Sequence, residues 1–161
     1  MEVQVEVVRT YQLWAAHGND ADNKPGINPK TKKPYSTSGY YRYAILGTRP
    51  DANGKNVVWG LKRIISETTR RQPKYNEILF EARFSLAECL YRYALARPGS
   101  EKTKYLGSAK SQLLNTFKIY PSMGGEEVRG RSNLLLKKIQ GDLNEKQTGL
   151  PAVTAPGKSS K

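Results

Sequence analysis

The sequence predicts an all-α protein, and two observations carry this prediction. Apolar residues recur at the three- and four-residue spacing of helices in four segments: 56–71, 76–96, 100–120 and 126–144. Helix-breaking residues separate these segments, at Pro73, at Pro98-Gly99 and at Pro121 with Gly124-Gly125. With 161 residues the chain fits one domain, which we place at residues 1–150.

The first segment, Glu2 to His17, carries two competing signals. Val3, Val5 and Val7 alternate as in a strand, whereas apolar residues between Val7 and Trp14 recur at helical spacing. The length of the segment and the glycine that follows it favour a helix.

Residues 18–55 form a long insertion rich in Gly, Pro, Asn, Lys and Thr. Loops of this length are uncommon in compact domains and tend to be functional or disordered. Its aromatic stretch, Tyr40 to Tyr43, is followed by Ala44-Ile45-Leu46, which we expect to fold back on the helices as a short ordered piece. The tail, residues 151–161, is rich in Ala, Pro, Gly, Ser and Lys and is expected to be disordered.

In residues 76–121 apolar and small residues recur in two helices, and a proline ends the second helix. These residues are Leu86, Ala87, Leu90, Ala109, Leu113, Thr116 and Pro121. Their pattern resembles a tetratricopeptide repeat (TPR). The stretch around 97–105 is longer than the repeat normally has between its helices. Residues 56–150 also resemble the C-terminal regions of uncharacterised repeat proteins from planctomycete-type bacteria.

This resemblance implies a TPR-like α-solenoid fragment built from antiparallel helix pairs. Segments 2–17 and 56–71 would form a preceding pair, and segment 126–144 would be a C-terminal capping helix. It further implies a protein-protein interaction scaffold without catalytic activity, as the C-terminal part of a larger repeat protein. The partner would be a protein or peptide, whose identity the sequence does not give.

TPR proteins bind partner peptides in the groove formed by their first helices. The resemblance places on that groove Glu81, Phe84, Glu88, Tyr91 and Arg92. An equal alternative is that Phe84 and Tyr91 only pack against a neighbouring helix. Some family members clamp a C-terminal carboxylate with basic and Asn residues, but Phe84, Ser85 and Glu88 occupy those positions here, so we do not expect that ligand.

The net charge of +13 leaves a second function open, binding of nucleic acid or another polyanion. Tyr40, Tyr41 and Tyr43 with Arg42 between them are candidates for stacking on bases. Against this, the basic residues are spread along the chain in short pairs, which favours a solvated basic surface.

The sequence offers no recognisable catalytic machinery, cofactor motif or metal-ligand set. Gly47 and Gly54, the two glycines that precede Lys55, are too far apart for a phosphate-binding loop. The Asn and Asp residues of segment 19–23 lack the glycine and the glutamate that a calcium-binding loop has at fixed positions. His17 is the single histidine and is expected at a helix end, and Cys89 is expected in the core. We therefore expect neither an enzyme nor a bound cofactor or metal.

No segment approaches the ~20 apolar residues of a membrane span, and the N-terminus lacks the pattern of a signal peptide. We expect a cytoplasmic protein, unless an export signal precedes this sequence.

Overall fold

The computed structural model describes residues 1–17, 32, 37–48 and 58–152. These ranges hold six helices: α1 Glu2–His17, α2 Thr37–Leu46, α3 Leu61–Arg70, α4 Asn76–Leu95, α5 Gly99–Ile119 and α6 Glu126–Asp142. The described part of the chain contains no strand, so the predicted all-α class is confirmed. The helix predicted at 2–17 has the predicted bounds.

The third helix starts later than the predicted residue 56. Gly47 and Trp59 form an isolated antiparallel bridge, and the Thr48 N–H donates to the Val58 carbonyl at 3.0 Å. This pairing holds Val58 and Trp59 outside the helix, which starts only at Leu61. Residues 56 and 57 lie outside the described part of the chain.

Helix α2 is the ordered piece expected within the insertion. Tyr40, Ala44 and Ile45 are buried on it, and the helix contacts α1, α3 and α4. The prediction that this stretch folds back on the helices is confirmed. Of the insertion, only Lys32 and residues 37–48 are described, and most of the tail predicted as disordered, residues 153–161, is outside the described residues.

Helix α4 lies at the centre of the molecule and contacts α2, α3, α5 and α6. Its apolar residues therefore occur all around the helix rather than on one stripe. The buried ones are Leu79, Phe80, Ala82, Leu86, Ala87, Cys89, Leu90, Tyr93 and Ala94. Ala87 and Ala109, the small residues of the repeat pattern, are both fully buried, as the close packing of a helix pair requires.

Ring contacts and an ion pair show how α4, α5 and α6 are oriented relative to one another. Phe80 contacts Tyr120 and Tyr93 contacts Tyr105, so α5 runs antiparallel to α4. Helix α6 turns back again, because Lys102 near the start of α5 pairs with Asp142 at the end of α6. Consequently α6 runs parallel to α4.

After α6 the chain reverses and runs back along the same helix as a strap, residues 145–150. The buried Gln140 amide donates to Thr148 Oγ1 at 3.1 Å and accepts the Gly149 N–H at 2.9 Å. Asn133 Oδ1 accepts the Leu150 N–H at 2.7 Å. These side-chain bonds satisfy the backbone of a segment that has no secondary structure of its own.

We expect Gly60→Ala to lower the free energy of unfolding by about 1–3 kcal/mol or more, because a Cβ there would lie 2.3 Å from the backbone nitrogen of Gly47. Gly107→Ala in α5 is the control. A Cβ at Gly107 meets no described atom within 4 Å, so this change should be neutral or stabilise by up to about 1 kcal/mol. Urea unfolding followed by circular dichroism measures both. Equal stability of the two variants would contradict the close crossing at Gly60.

Candidate functional site

An open cleft of about 610 Å³ lies between α1, α4 and α6. Helix α1 supplies Leu13, Ala16 and His17, helix α4 supplies residues from Phe84 to Arg92, and α6 supplies Arg131. The cleft exists because the main helix contacts of α1 are with α2 and α3, not along α4. Helices α1 and α4 run in the same direction. Val5 and Val8, near the start of α1, lie near Ile78 at the start of α4, and Gln12 further along α1 contacts Cys89 further along α4.

The bottom of the cleft is formed where α1 meets α4. The Gln12 amide donates to Cys89 Sγ at 3.3 Å, and the thiol is 1% exposed. Burial raises the pKa of Cys89 to about 12, and the hydrogen bond from Gln12 opposes this only in part. The thiol is therefore neutral and a poor nucleophile at physiological pH.

Two aromatic side chains line the cleft. Phe84 is half-buried, and the Arg131 guanidinium covers its ring at 4.7 Å from the ring centroid. Tyr41 of α2 lines the same space, where burial raises the pKa of its hydroxyl and the positive charge of Arg92 partly offsets that rise. The cleft thus combines apolar rings with cationic groups at its rim.

Three arginines line the cleft, and each is paired with glutamate. Among the described residues that line it, Arg9, Arg92 and Arg131 are basic and Glu88 is acidic. The arginines have glutamate partners: Arg9 pairs with Glu6 at 2.6 Å, Arg92 with Glu88 at 3.6 Å, and Arg131 with Glu81 and Glu127.

The pairs of Arg9 and Arg92 are weak. Both arginine side chains are more than half exposed, and exposed ion pairs contribute little to stability. Their guanidinium groups can therefore turn towards another anion at small cost.

A smaller cavity of about 210 Å³ continues the cleft towards the start of α4. It shares Arg9, Gln12 and Ser85 with the cleft, and we call the two spaces together the groove. The cavity walls are mainly apolar and come from α1, α3 and α4, through Val5, Val8, Leu61, Ile64, Ile78 and Ala82.

The predicted groove residues fall into three places. Phe84, Glu88 and Arg92 line the cleft, and Glu81 lines the smaller cavity and pairs with Arg131. Tyr91 is not among the lining residues. Burial and a hydrogen bond with Asp142 of α6 both raise its pKa, which places it between α4 and the end of α6.

The tyrosines of the alternative polyanion site also separate. Tyr40 is 3% exposed, with its ring 5.6 Å from Trp14, and Tyr43 packs 5.7 Å from Tyr11. Arg42 is exposed and Tyr41 faces the cleft. These four residues therefore do not form one surface.

Sequence reasoning missed the contributions of α1 and α6 to the cleft. The assignment of residues 2–17 as a first helix could have indicated that this helix lines the cleft. Its position relative to α4 was not predictable, because the long insertion separates the two helices in the sequence. Arg131 gave no signal, because its position beside Phe84 depends on how α6 packs against α4.

The described residues include no cluster of His, Cys, Asp or Glu that could hold a metal ion. Nor does any helix within the described ranges have the length and hydropathy needed to cross a membrane.

We expect Cys89 to resist alkylation by iodoacetamide at pH 8 in the native protein and to react fully in urea, because only unfolding exposes and ionises the thiol. The pKa of the Cys89 thiol is higher in the folded than in the unfolded protein. Its contribution to the free energy of unfolding is therefore full below about pH 9 and declines as the pH rises towards 12. Mass spectrometry of quenched samples follows the reaction. Native alkylation as fast as in urea would contradict the buried position.

No protein-family model matches the chain, and neither a curated protein nor a solved structure does.

Proposed function

We propose that this protein is a non-catalytic interaction module of the TPR type, which binds a segment of a partner protein in the groove. The observation that carries the proposal is the open cleft of about 610 Å³ between three helices that run in the same direction, α1, α4 and α6. Three of the five residues expected to bind a partner line this cleft: Phe84, Glu88 and Arg92.

The helix order supports this proposal. Parallel first helices with antiparallel second helices behind them are the arrangement that the TPR resemblance implies, and α4 with α5 has it. In this scheme α6 is the capping helix that covers the end of the core. The preceding pair expected from α1 and α3 is less regular, because α1 has its main contacts with the inserted helix α2.

The chemistry of the cleft also favours binding over catalysis. Its thiol, Cys89, is buried and neutral, and its arginines are held by glutamates rather than arranged around a nucleophile. Apolar rings and exposed charges in a concave site are suited to recognition.

We expect the double variant Leu13→Glu/Arg92→Glu to lose a protein partner that the wild type recovers from the source cells, because both positions are exposed and line the cleft. Quantitative mass spectrometry of pull-downs measures the loss, expected to be tenfold or more.

The matched control is Ile119→Glu/Lys104→Glu, which makes the same charge change at two exposed positions of α5, away from the cleft. It should retain the partner. If the control loses the partner to the same degree, or if neither variant loses it, the partner does not bind in the cleft.

A second candidate function is polyanion binding through a basic surface formed by α3 and the turn that follows it, residues 71–75. Residues 61–75 contain five basic residues and one acidic residue, Glu67. All five are exposed: Lys62, Arg63, Arg70, Arg71 and Lys74. This surface replaces the tyrosine cluster as the place where phosphates would bind, since Tyr40 offers no exposed ring face.

If this basic surface binds phosphates, Lys62→Glu/Lys74→Glu should weaken binding of a fluorescein-labelled single-stranded DNA 20-mer and reduce the salt dependence of that binding. Each lost phosphate contact should lower the slope of log K against log salt by about 0.7. Fluorescence anisotropy titrations from 50 to 200 mM salt measure this. The control Lys104→Glu/Lys118→Glu changes exposed lysines of α5, and an equal effect there would indicate general charge attraction instead.

A further inference from the structure

The groove changes in character along α4, and this change indicates what kind of peptide fits it. At the start of α4 lies the cavity of about 210 Å³ with apolar walls. Towards the end of α4 lies the wider cleft with Arg9, Arg92 and Arg131. An apolar cavity of about 150 Å³ takes up benzene, so the smaller space can hold one large apolar side chain.

The charges differ between the two ends as well. Glu77 and Glu81 line the cavity together with Arg9, whereas Arg9, Arg92, Arg131 and Glu88 line the cleft. The whole protein carries a net charge of +13, which attracts an acidic partner over longer range. A bound segment therefore meets acidic groups beside its apolar anchor and basic groups along the rest of its length.

The length of the groove limits the segment. It follows α4 from Glu77 to Arg92, a distance of about 22 Å at 1.5 Å per helical residue. An extended chain spans about 3.3 Å per residue, so roughly seven residues fill the groove.

We propose that the partner segment is an acidic peptide of about seven residues with one large apolar anchor, aromatic or aliphatic. The anchor packs in the cavity against Val5 and Ile78, the half-buried apolar residues of its wall, and the acidic residues pair with Arg92, Arg131 and Arg9 in the cleft. This inference rests on the proposed function and adds the chemistry of the partner to it.

A display library of random ten-residue peptides, selected on the purified protein, tests this inference without assuming a sequence. We expect enriched peptides to carry several Asp or Glu residues and one large apolar residue. Replacing that residue with Ala should lower the affinity of the synthetic peptide about tenfold or more, measured by fluorescence anisotropy.

Two protein variants locate the bound peptide. Arg92→Glu should weaken the acidic peptide about fivefold or more, with a larger effect at low salt. Ser85 lines both the cavity and the cleft, so Ser85→Leu should weaken the anchored peptide more than the anchor-free version. The controls on α5 are Lys104→Glu and Ser108→Leu, both at exposed positions, and both should bind as the wild type.

Circular dichroism checks that each variant is folded. Arg92 is an exposed position, so Arg92→Glu keeps the test decisive if Ser85→Leu does not fold.

The possible failures are distinguishable. Enriched peptides that bind in the cleft but lack acidic residues or an anchor would overturn this inference and leave the interaction function standing. A library that yields no enriched peptide would overturn both. A dimer in analytical ultracentrifugation that Arg92→Glu dissociates would assign the groove to a second copy of the chain and overturn the peptide partner.

Discussion

The close crossing of two backbones at Gly47 and Gly60 holds the end of α2 against the start of α3, and α1 packs on both of these helices. A side chain on Gly60 would clash with the backbone of residues 45–47, so the end of α2 can reach the start of α3 only through these glycines. Directly beside this crossing, the Trp59 N–H donates to Gln4 Oε1 at 2.7 Å and ties α1 to it. Helix α1 thus has its main contacts with α2 and α3, and it meets α4 at the bottom of the cleft, where Gln12 donates to Cys89.

This arrangement differs in kind from the packing of α4 with α5. There, small buried residues such as Ala87 and Ala109 let the helices approach, and ring contacts at both ends, Phe80 with Tyr120 and Tyr93 with Tyr105, fix their direction. The strap along α6 completes the other side through the buried Gln140 amide. The molecule therefore has a closely packed half built on α4, α5 and α6, and a more open half in which α1 borders a cavity.

The sequence predicted the helices well because their signal is local. Apolar spacing, Pro73, Pro98 and Gly124-Gly125 placed α4, α5 and α6 within a few residues of their bounds, and Leu86, Ala87, Leu113 and Thr116 are buried as the repeat pattern requires. The late start of α3 was not predictable, because it depends on pairing between Gly47 and Trp59 across the insertion. The cleft was predictable only on its α4 side, since the positions of Arg131 and Leu13 follow from packing between distant segments.

The two halves of the groove would contribute differently to recognition. Burial of one apolar anchor in the cavity supplies binding free energy, because it removes apolar surface from water on both partners. The arginines supply little net affinity, since each must give up or share a glutamate to bind an acidic residue. The arginines would instead provide selectivity between partner segments. A basic segment would be repelled by them, and burial of the anchor would have to offset the free energy of that repulsion. In the proposed complex, affinity and selectivity would thus come from neighbouring but separate parts of one groove, and both would depend on the space that α1 and α4 leave between them.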